Sequence, residues 1–168
     1  MKAFIFDPLW EELTTPELLQ KLKAAKIDTI ITKDIAPLSK CAELFEGNEE
    51  RVLCLNPDYV SWKLTSNDYK NIPNLKAILI ASTGYEWLEQ DYANEQNIPI
   101  CQIMNFSTEA VVEWAIMMTF NLARQTPRLM KYRGIELHGK TAGIIGMGHI
   151  GQAIAKRCAG LGMNVIYW

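Results

Sequence analysis

The residues with the clearest chemical potential lie late in the chain, where Thr141-Ala142-Gly143-Ile144-Ile145 runs into Gly146-Met147-Gly148-His149-Ile150-Gly151. Gly146, Gly148 and Gly151 spell G-x-G-x-x-G, a pattern that means little by itself. Here it follows an apolar, strand-like run and opens an amphipathic segment to Leu161, which returns through Gly162 to a second strand-like run, Asn164 to Trp168. In that context the three glycines do different things. Gly146 permits the tight turn, Gly148 lets the backbone approach a pyrophosphate, and Gly151 lets helix and strand pack closely. Free N–H groups at the helix start then face the phosphates. The expected ligand is NAD or NADP, held by Gly146, Met147, Gly148, His149, Ile150 and Gly151. A glycine turn without a ligand is the plain alternative. The carboxylate that would hold the ribose 2′-OH belongs about 20 residues further on. No Asp or Glu follows Glu136, so the sequence does not reveal a preference between the two cofactors.

Other reactive residues point to less. Cys41, Cys54, Cys101 and Cys158 stand far apart, without a C-x-x-C pair or a neighbouring histidine. Zinc and redox motifs are therefore not expected, and the cysteines read as small core residues in a reducing compartment. His138 and His149 read as surface histidines. Arg124, Arg128 and Arg133 read as the solvated, dipole-complementing end of the apolar helix before them.

Composition narrows the class. The chain has 168 residues, 49% hydrophobic and 21% charged, which favours a globular fold with a real core over disorder or a disulfide scaffold. Seventeen Lys and Arg against 19 Asp and Glu give a net charge of -2, and no basic run exists to line up on phosphates, so nucleic acid is not an expected partner. The start, Met1-Lys2-Ala3-Phe4-Ile5-Phe6-Asp7, reaches an acidic residue too soon for a signal peptide, which makes the cytoplasm the default expectation. Ala110 to Ala123 is the most apolar stretch, but Glu113 interrupts it and it falls short of the roughly 18 residues of a membrane span.

The elements alternate. Strands are expected at Ala3–Phe6, Thr29–Thr32, Val52–Leu55, Leu75–Ala81 and Pro99–Met104. Helices are expected at Glu17–Lys26, with Leu18, Leu19, Leu22 and Ala25 on one stripe, at Leu88–Gln96, and more weakly at Pro37–Phe45. Asn56-Pro57 reads as a turn whose loop could border a cleft. This rhythm predicts an α/β fold with a doubly wound parallel sheet, followed by a Rossmann-type βαβ at the glycine turn. Ser107 to Arg124 breaks the rhythm, being long and apolar nearly all round. Ser107 reads as its N-cap, Glu109 complements its dipole, and the helix is expected to be buried on several sides, in a core or at an interface.

Three segments in order resemble the D-isomer-specific 2-hydroxyacid dehydrogenases, which include phosphoglycerate, glyoxylate/hydroxypyruvate, D-lactate and formate-type enzymes. They are Asn74-Leu75-Lys76-Ala77-Ile78 leading to Ser82-Thr83-Gly84-Tyr85-Glu86; Asn97-Ile98-Pro99-Ile100 leading to Ser107-Thr108-Glu109-Ala110-Val111-Val112-Glu113; and Leu137-His138-Gly139-Lys140-Thr141 leading into the glycine turn. The resemblance covers most of residues 51 to 168. It implies a flavodoxin-like substrate domain over 1–104, a helix and linker over 105–135 that crosses to the cofactor domain and packs in a homodimer through Ser107 to Arg124, and the first part of an NAD(P)-binding domain over 136–168. It also implies a small 2-hydroxy or 2-keto acid whose carboxylate meets the backbone amides of Ser82, Thr83 and Gly84, and places Thr108 near the nicotinamide. Successive N–H groups at the carboxyl end of a parallel strand suit such an anion. The family commonly shows Gly-x-Asp where this chain has Gly84-Tyr85-Glu86, and a smaller residue or histidine where it has Trp114.

Hydride transfer to a 2-keto acid needs a cation, a proton donor and a group that holds the donor charged. The resemblance assigns these to an Arg, a His and a Glu beyond Trp168, so no catalytic residue is expected within 1–168 and these residues alone are expected to be inactive. A non-catalytic NAD-binding or interaction module of the same fold is the competing expectation, and another Rossmann enzyme a third.

Overall fold

The computed structural model describes every residue except Pro8, Asp34 and 127–133. The described part forms two compact units, Met1–Met104 and Asn105–Trp168.

The first unit is built on five parallel strands, β1 (Lys2–Phe6), β2 (Asp28–Thr32), β3 (Arg51–Leu55), β4 (Leu75–Ile80) and β5 (Ile100–Gln102), in the order β2-β1-β3-β4-β5. Register places Phe4 beside Leu53 and Ile30, Phe6 beside Leu55, and Leu53 and Leu55 beside Ile78 and Ile80. Because side chains alternate across a strand, these residues share one face. Except for half-buried Ile30, their side chains are almost fully buried, under Leu38, Leu44, Tyr69 and Ala93. Each such large side chain contributes about 1.5–3 kcal/mol relative to exposure.

Crossover handedness explains why the other face differs. From β1 the chain moves one way to β2, and from β2 onward it moves the other way. Right-handed connections therefore put only the first crossover on the second face. That crossover holds α1 (Trp10–Leu13) and α2 (Pro16–Ala24), the latter opened by Thr15, whose hydroxyl accepts from Leu18 N–H. Leu18 and Leu22 meet this face beside β1 and β2, and the rest is an open apolar groove of about 590 Å³ lined by Val52, Cys54, Leu79 and Cys101. Cys101 is exposed, contrary to the expectation of a core cysteine, because β5 is the edge strand of this uncovered half; Cys41 and Cys54 are half-buried and Cys158 is buried.

Two expected helices are shorter or different. Pro37–Phe45 is two 3₁₀ turns, Leu38–Lys40 and Ala42–Leu44, pinned by buried Leu38 and Leu44. Of Leu88–Gln96 only α4 (Asp91–Glu95) is helical, since Leu88 instead bridges to Leu64. Another short helix, α3 (Ser66–Tyr69), was not expected; a Thr65–Asp68 capping box starts it.

The second unit holds α5 (Thr108–Arg124), β6 (Thr141–Ile144), α6 (His149–Gly160) and β7 (Asn164–Tyr167), with β6 and β7 parallel. Helix α5 packs on α6, and a Glu109–Arg157 ion pair joins them. Only Val112 of α5 is buried, while Trp114, Phe120 and Leu122 are exposed. Among the described residues of this unit, burial on several sides is thus not provided, α6 being the main element packed against the helix. Ser107 holds the N-cap position without a side-chain bond, its φ of -104° and ψ of 7° lying outside the extended geometry that aims a capping oxygen. Arg128 and Arg133 lie outside the described residues. Among the described residues no helix is long and apolar enough to cross a membrane.

Candidate cofactor and carboxylate sites

The glycine turn has the geometry its sequence demands. Gly146 sits at φ +92°, in the left-handed region, and its N–H donates to the Trp168 carbonyl at 2.9 Å, tying the turn to the end of β7. A Cβ at Gly151 would stand 2.0 Å from the Gly146 carbonyl oxygen, so only glycine allows the helix this close to the turn. At Gly148 the opposite holds, for a Cβ there would meet nothing within 4 Å. Gly148 is the N-cap of α6, makes no side-chain cap, and is followed by a first turn with no acidic residue. Uncapped N–H groups and the positive end of the helix dipole therefore open onto free space, which fits a pyrophosphate. Among the other expected contacts, Met147 is half-buried, its carbonyl accepting from Gln152 Nε2 at 2.8 Å, and His149 and Ile150 are exposed in the first turn of α6. Thr108 is the first residue of α5. His138 packs its ring against Gly162, where a Cβ would come within 2.4 Å, at the end of β6 away from the glycine turn.

In the first unit, Ser82, Thr83 and Gly84 follow β4 at its carboxyl end. Ser82 is buried and its Oγ donates to the Gly84 carbonyl at 2.7 Å; Thr83 Oγ1 donates to the Ile103 carbonyl at 2.9 Å; Ile103 N–H donates to the Ser82 carbonyl at 3.2 Å. These bonds use the side chains and carbonyls. None of the hydrogen bonds among the described residues uses the N–H of Thr83 or Gly84, so both remain available to an anion. Glu86 leans over this turn, with its Oε2 2.7 Å from the position of a Cβ on Gly84. A carboxylate there weakens the attraction for any anion held by the turn.

Sequence reasoning missed the brace behind this loop. Trp87 Nε1 donates to the Gly84 carbonyl at 3.1 Å and to Ser82 Oγ at 3.3 Å. A tryptophan soon after a strand end was the available signal. Equally unannounced is Arg51, fully buried at the start of β3, whose guanidinium donates to the carbonyls of Glu49 at 2.8 Å, Pro73 at 2.9 Å and Gly47 at 3.2 Å, and to that of Glu46. It fastens the end of the sheet opposite the Ser82–Gly84 loop.

Residues 113–168 match the model of the D-isomer specific 2-hydroxyacid dehydrogenase, NAD binding domain. Over those residues, about a third of the chain, the sequence is similar to that NAD binding domain. A D-3-phosphoglycerate dehydrogenase of Methanocaldococcus jannaschii is 28% identical, with 99% of this chain and 32% of the relative aligned. A glyoxylate reductase of Thermococcus litoralis is 29% identical over 65% of this chain and 38% of its own length. Among solved structures, an NAD-dependent formate dehydrogenase from Staphylococcus aureus in complex with NAD superposes at TM-score 0.76 with 23% identity, over 99% of this chain and 56% of that one, and shares the fold. The chain thus spans roughly a third of the length of these curated family members and about half of the solved one.

Proposed function

We propose that this chain carries the dinucleotide loop and the substrate-carboxylate loop of an oxidoreductase that transfers a hydride between NAD(H) and a small 2-hydroxy or 2-keto acid. The observation that carries the proposal is the open space over Gly148, in front of the uncapped start of α6, within a turn that tolerates only glycine at Gly151. NAD is favoured by the family model's description; NADP stays open.

When bound, the dinucleotide supplies the hydride donor or acceptor. The chain's own residues bind and orient. N–H groups from Gly148 into the first turn of α6 hold the pyrophosphate, with Met147, His149 and Ile150 flanking it, and Thr108 borders the nicotinamide. Thr83 and Gly84 N–H groups hold the substrate carboxylate, while Ser82 keeps their loop in shape through its bond to the Gly84 carbonyl. Neither His138, packed on Gly162, nor His149 is assigned the proton transfer. Turnover is proposed for a polypeptide that joins these residues to an Arg, a His and a Glu in the family's roles, as a homodimer through Ser107 to Arg124. The units proposed for it are a substrate domain over 1–104, a helix and linker over 105–135 and a cofactor domain over 136–168.

The test is NADH consumption with glyoxylate, hydroxypyruvate and pyruvate. Residues 1–168 alone should show none. In a polypeptide with turnover, Gly84→Pro, which removes one donor and fixes φ, should raise KM for the keto acid at least tenfold with little change in NADH affinity. Equal losses for both ligands would contradict the carboxylate assignment, and turnover by residues 1–168 would contradict the division of labour.

A further inference from the structure

The residues beside the Ser82–Gly84 loop bear on which acid it takes. After β3 the chain makes a 3₁₀ turn, Pro57–Val60, and then places two consecutive non-glycine residues, Ser61 at φ 57° and Trp62 at φ 50°, in the left-handed region. A bulky side chain rarely adopts that conformation, and it persists only where surrounding bonds enforce it. They do so here. Trp62 N–H donates to the Pro57 carbonyl at 2.9 Å, and its indole Nε1 donates to Asp58 Oδ1 at 2.7 Å.

The outcome is a tryptophan that is 55% exposed and yet fixed in orientation. Its ring stands edge to face with Trp87, with centroids 6.4 Å apart and planes at 74°. Trp87 is the residue whose indole braces Ser82 and Gly84. The two loops are themselves stitched together, since Leu64 N–H donates to the Trp87 carbonyl at 2.9 Å and Glu89 N–H to the Leu64 carbonyl at 2.8 Å. A fixed aromatic pair therefore adjoins the loop that carries the two free N–H groups. Charge points the same way. Residues 56–65 and 81–89 carry Asp58, Glu86 and Glu89 against the single cation Lys63, which lines a separate hollow with Leu38 and Asp68. A second anionic group on the substrate would find carboxylates on these two loops and no cation of theirs aimed at it.

Building on the carboxylate loop proposed above, we propose that Trp62 and Trp87 form the wall against which the substrate side chain packs, and that the preferred substrate is a 2-keto or 2-hydroxy acid with a bulky apolar, above all aromatic, side chain. Trp62 provides the contact, and Trp87 positions both Trp62 and the loop.

The experiment follows ¹⁵N-labelled full chain by NMR during titration with pyruvate and, separately, phenylpyruvate. Both acids should shift the Thr83 and Gly84 amides. Phenylpyruvate should bind at least tenfold more tightly and also shift the indole N–H signals of Trp62 and Trp87. Trp62→Ala should weaken phenylpyruvate binding at least tenfold, abolishing its preference over pyruvate, and Trp62→Phe should restore most of that preference. Equal affinities in the wild-type chain, or a preference that survives Trp62→Ala, would overturn the inference while leaving the carboxylate loop standing. If neither acid moves Thr83 or Gly84, the carboxylate loop itself fails and the inference falls with it.

Discussion

Among single residues, the cysteines show how position in the sheet decides chemistry. Cys54 and Cys101 lie on the same face of neighbouring parts of one sheet, yet burial pushes the Cys54 thiol up to about 11. A raised pKa means that the folded state favours the neutral thiol. The stabilisation is complete below the unfolded value near 9 and is lost as pH rises toward about 11. Chemical denaturation between pH 8 and pH 11 should therefore show stability falling across that window, on the order of the pKa shift, and Cys54→Ala should flatten this part of the profile. A profile unchanged by the substitution would show that Cys54 is not the group responsible.

Among the elements, α5 is the least self-sufficient part of the second unit. One residue of its 17 is buried, and Trp114, Phe120 and Leu122 stand 63%, 39% and 75% exposed. An apolar surface of this kind drives association. Sedimentation should give a dimer of the full chain at micromolar concentration, and replacing Trp114 and Leu122 by Lys should lower the dimer population at least tenfold; a wild-type monomer throughout would rule out pairing through this helix. Element type was largely legible from sequence because strands and the glycine turn carry local signals: β-branched runs, G-x-G-x-x-G, and Gly162 at φ +74° after α6. What sequence could not supply was set by contacts between distant residues. Leu88 left its expected helix to bridge Leu64, and Leu38 and Leu44 tightened the weak helix into 3₁₀ turns under the sheet. Trp87 as a brace and Arg51 as a carbonyl clamp likewise depend on partners that only the fold brings near, whereas the glycine turn depends on neighbours within a few residues.

In the molecule as a whole, the proposed function assigns one ligand to each of the two units. The first offers two unpaired N–H groups at the carboxyl end of β4, and the second an uncapped helix start behind an open glycine. In the proposed function these loops serve one reaction, and the dinucleotide loop is the foundation on which that proposal stands. Isothermal titration of NADH into the full chain probes it most directly. Saturable binding at one site per chain is expected, reduced at least a hundredfold by Gly148→Asp, whose side chain would enter open space without disturbing the fold and would set a negative charge before the helix start. Binding unchanged by Gly148→Asp, or no NADH binding by the folded wild-type chain, would contradict the assignment of this loop to the dinucleotide.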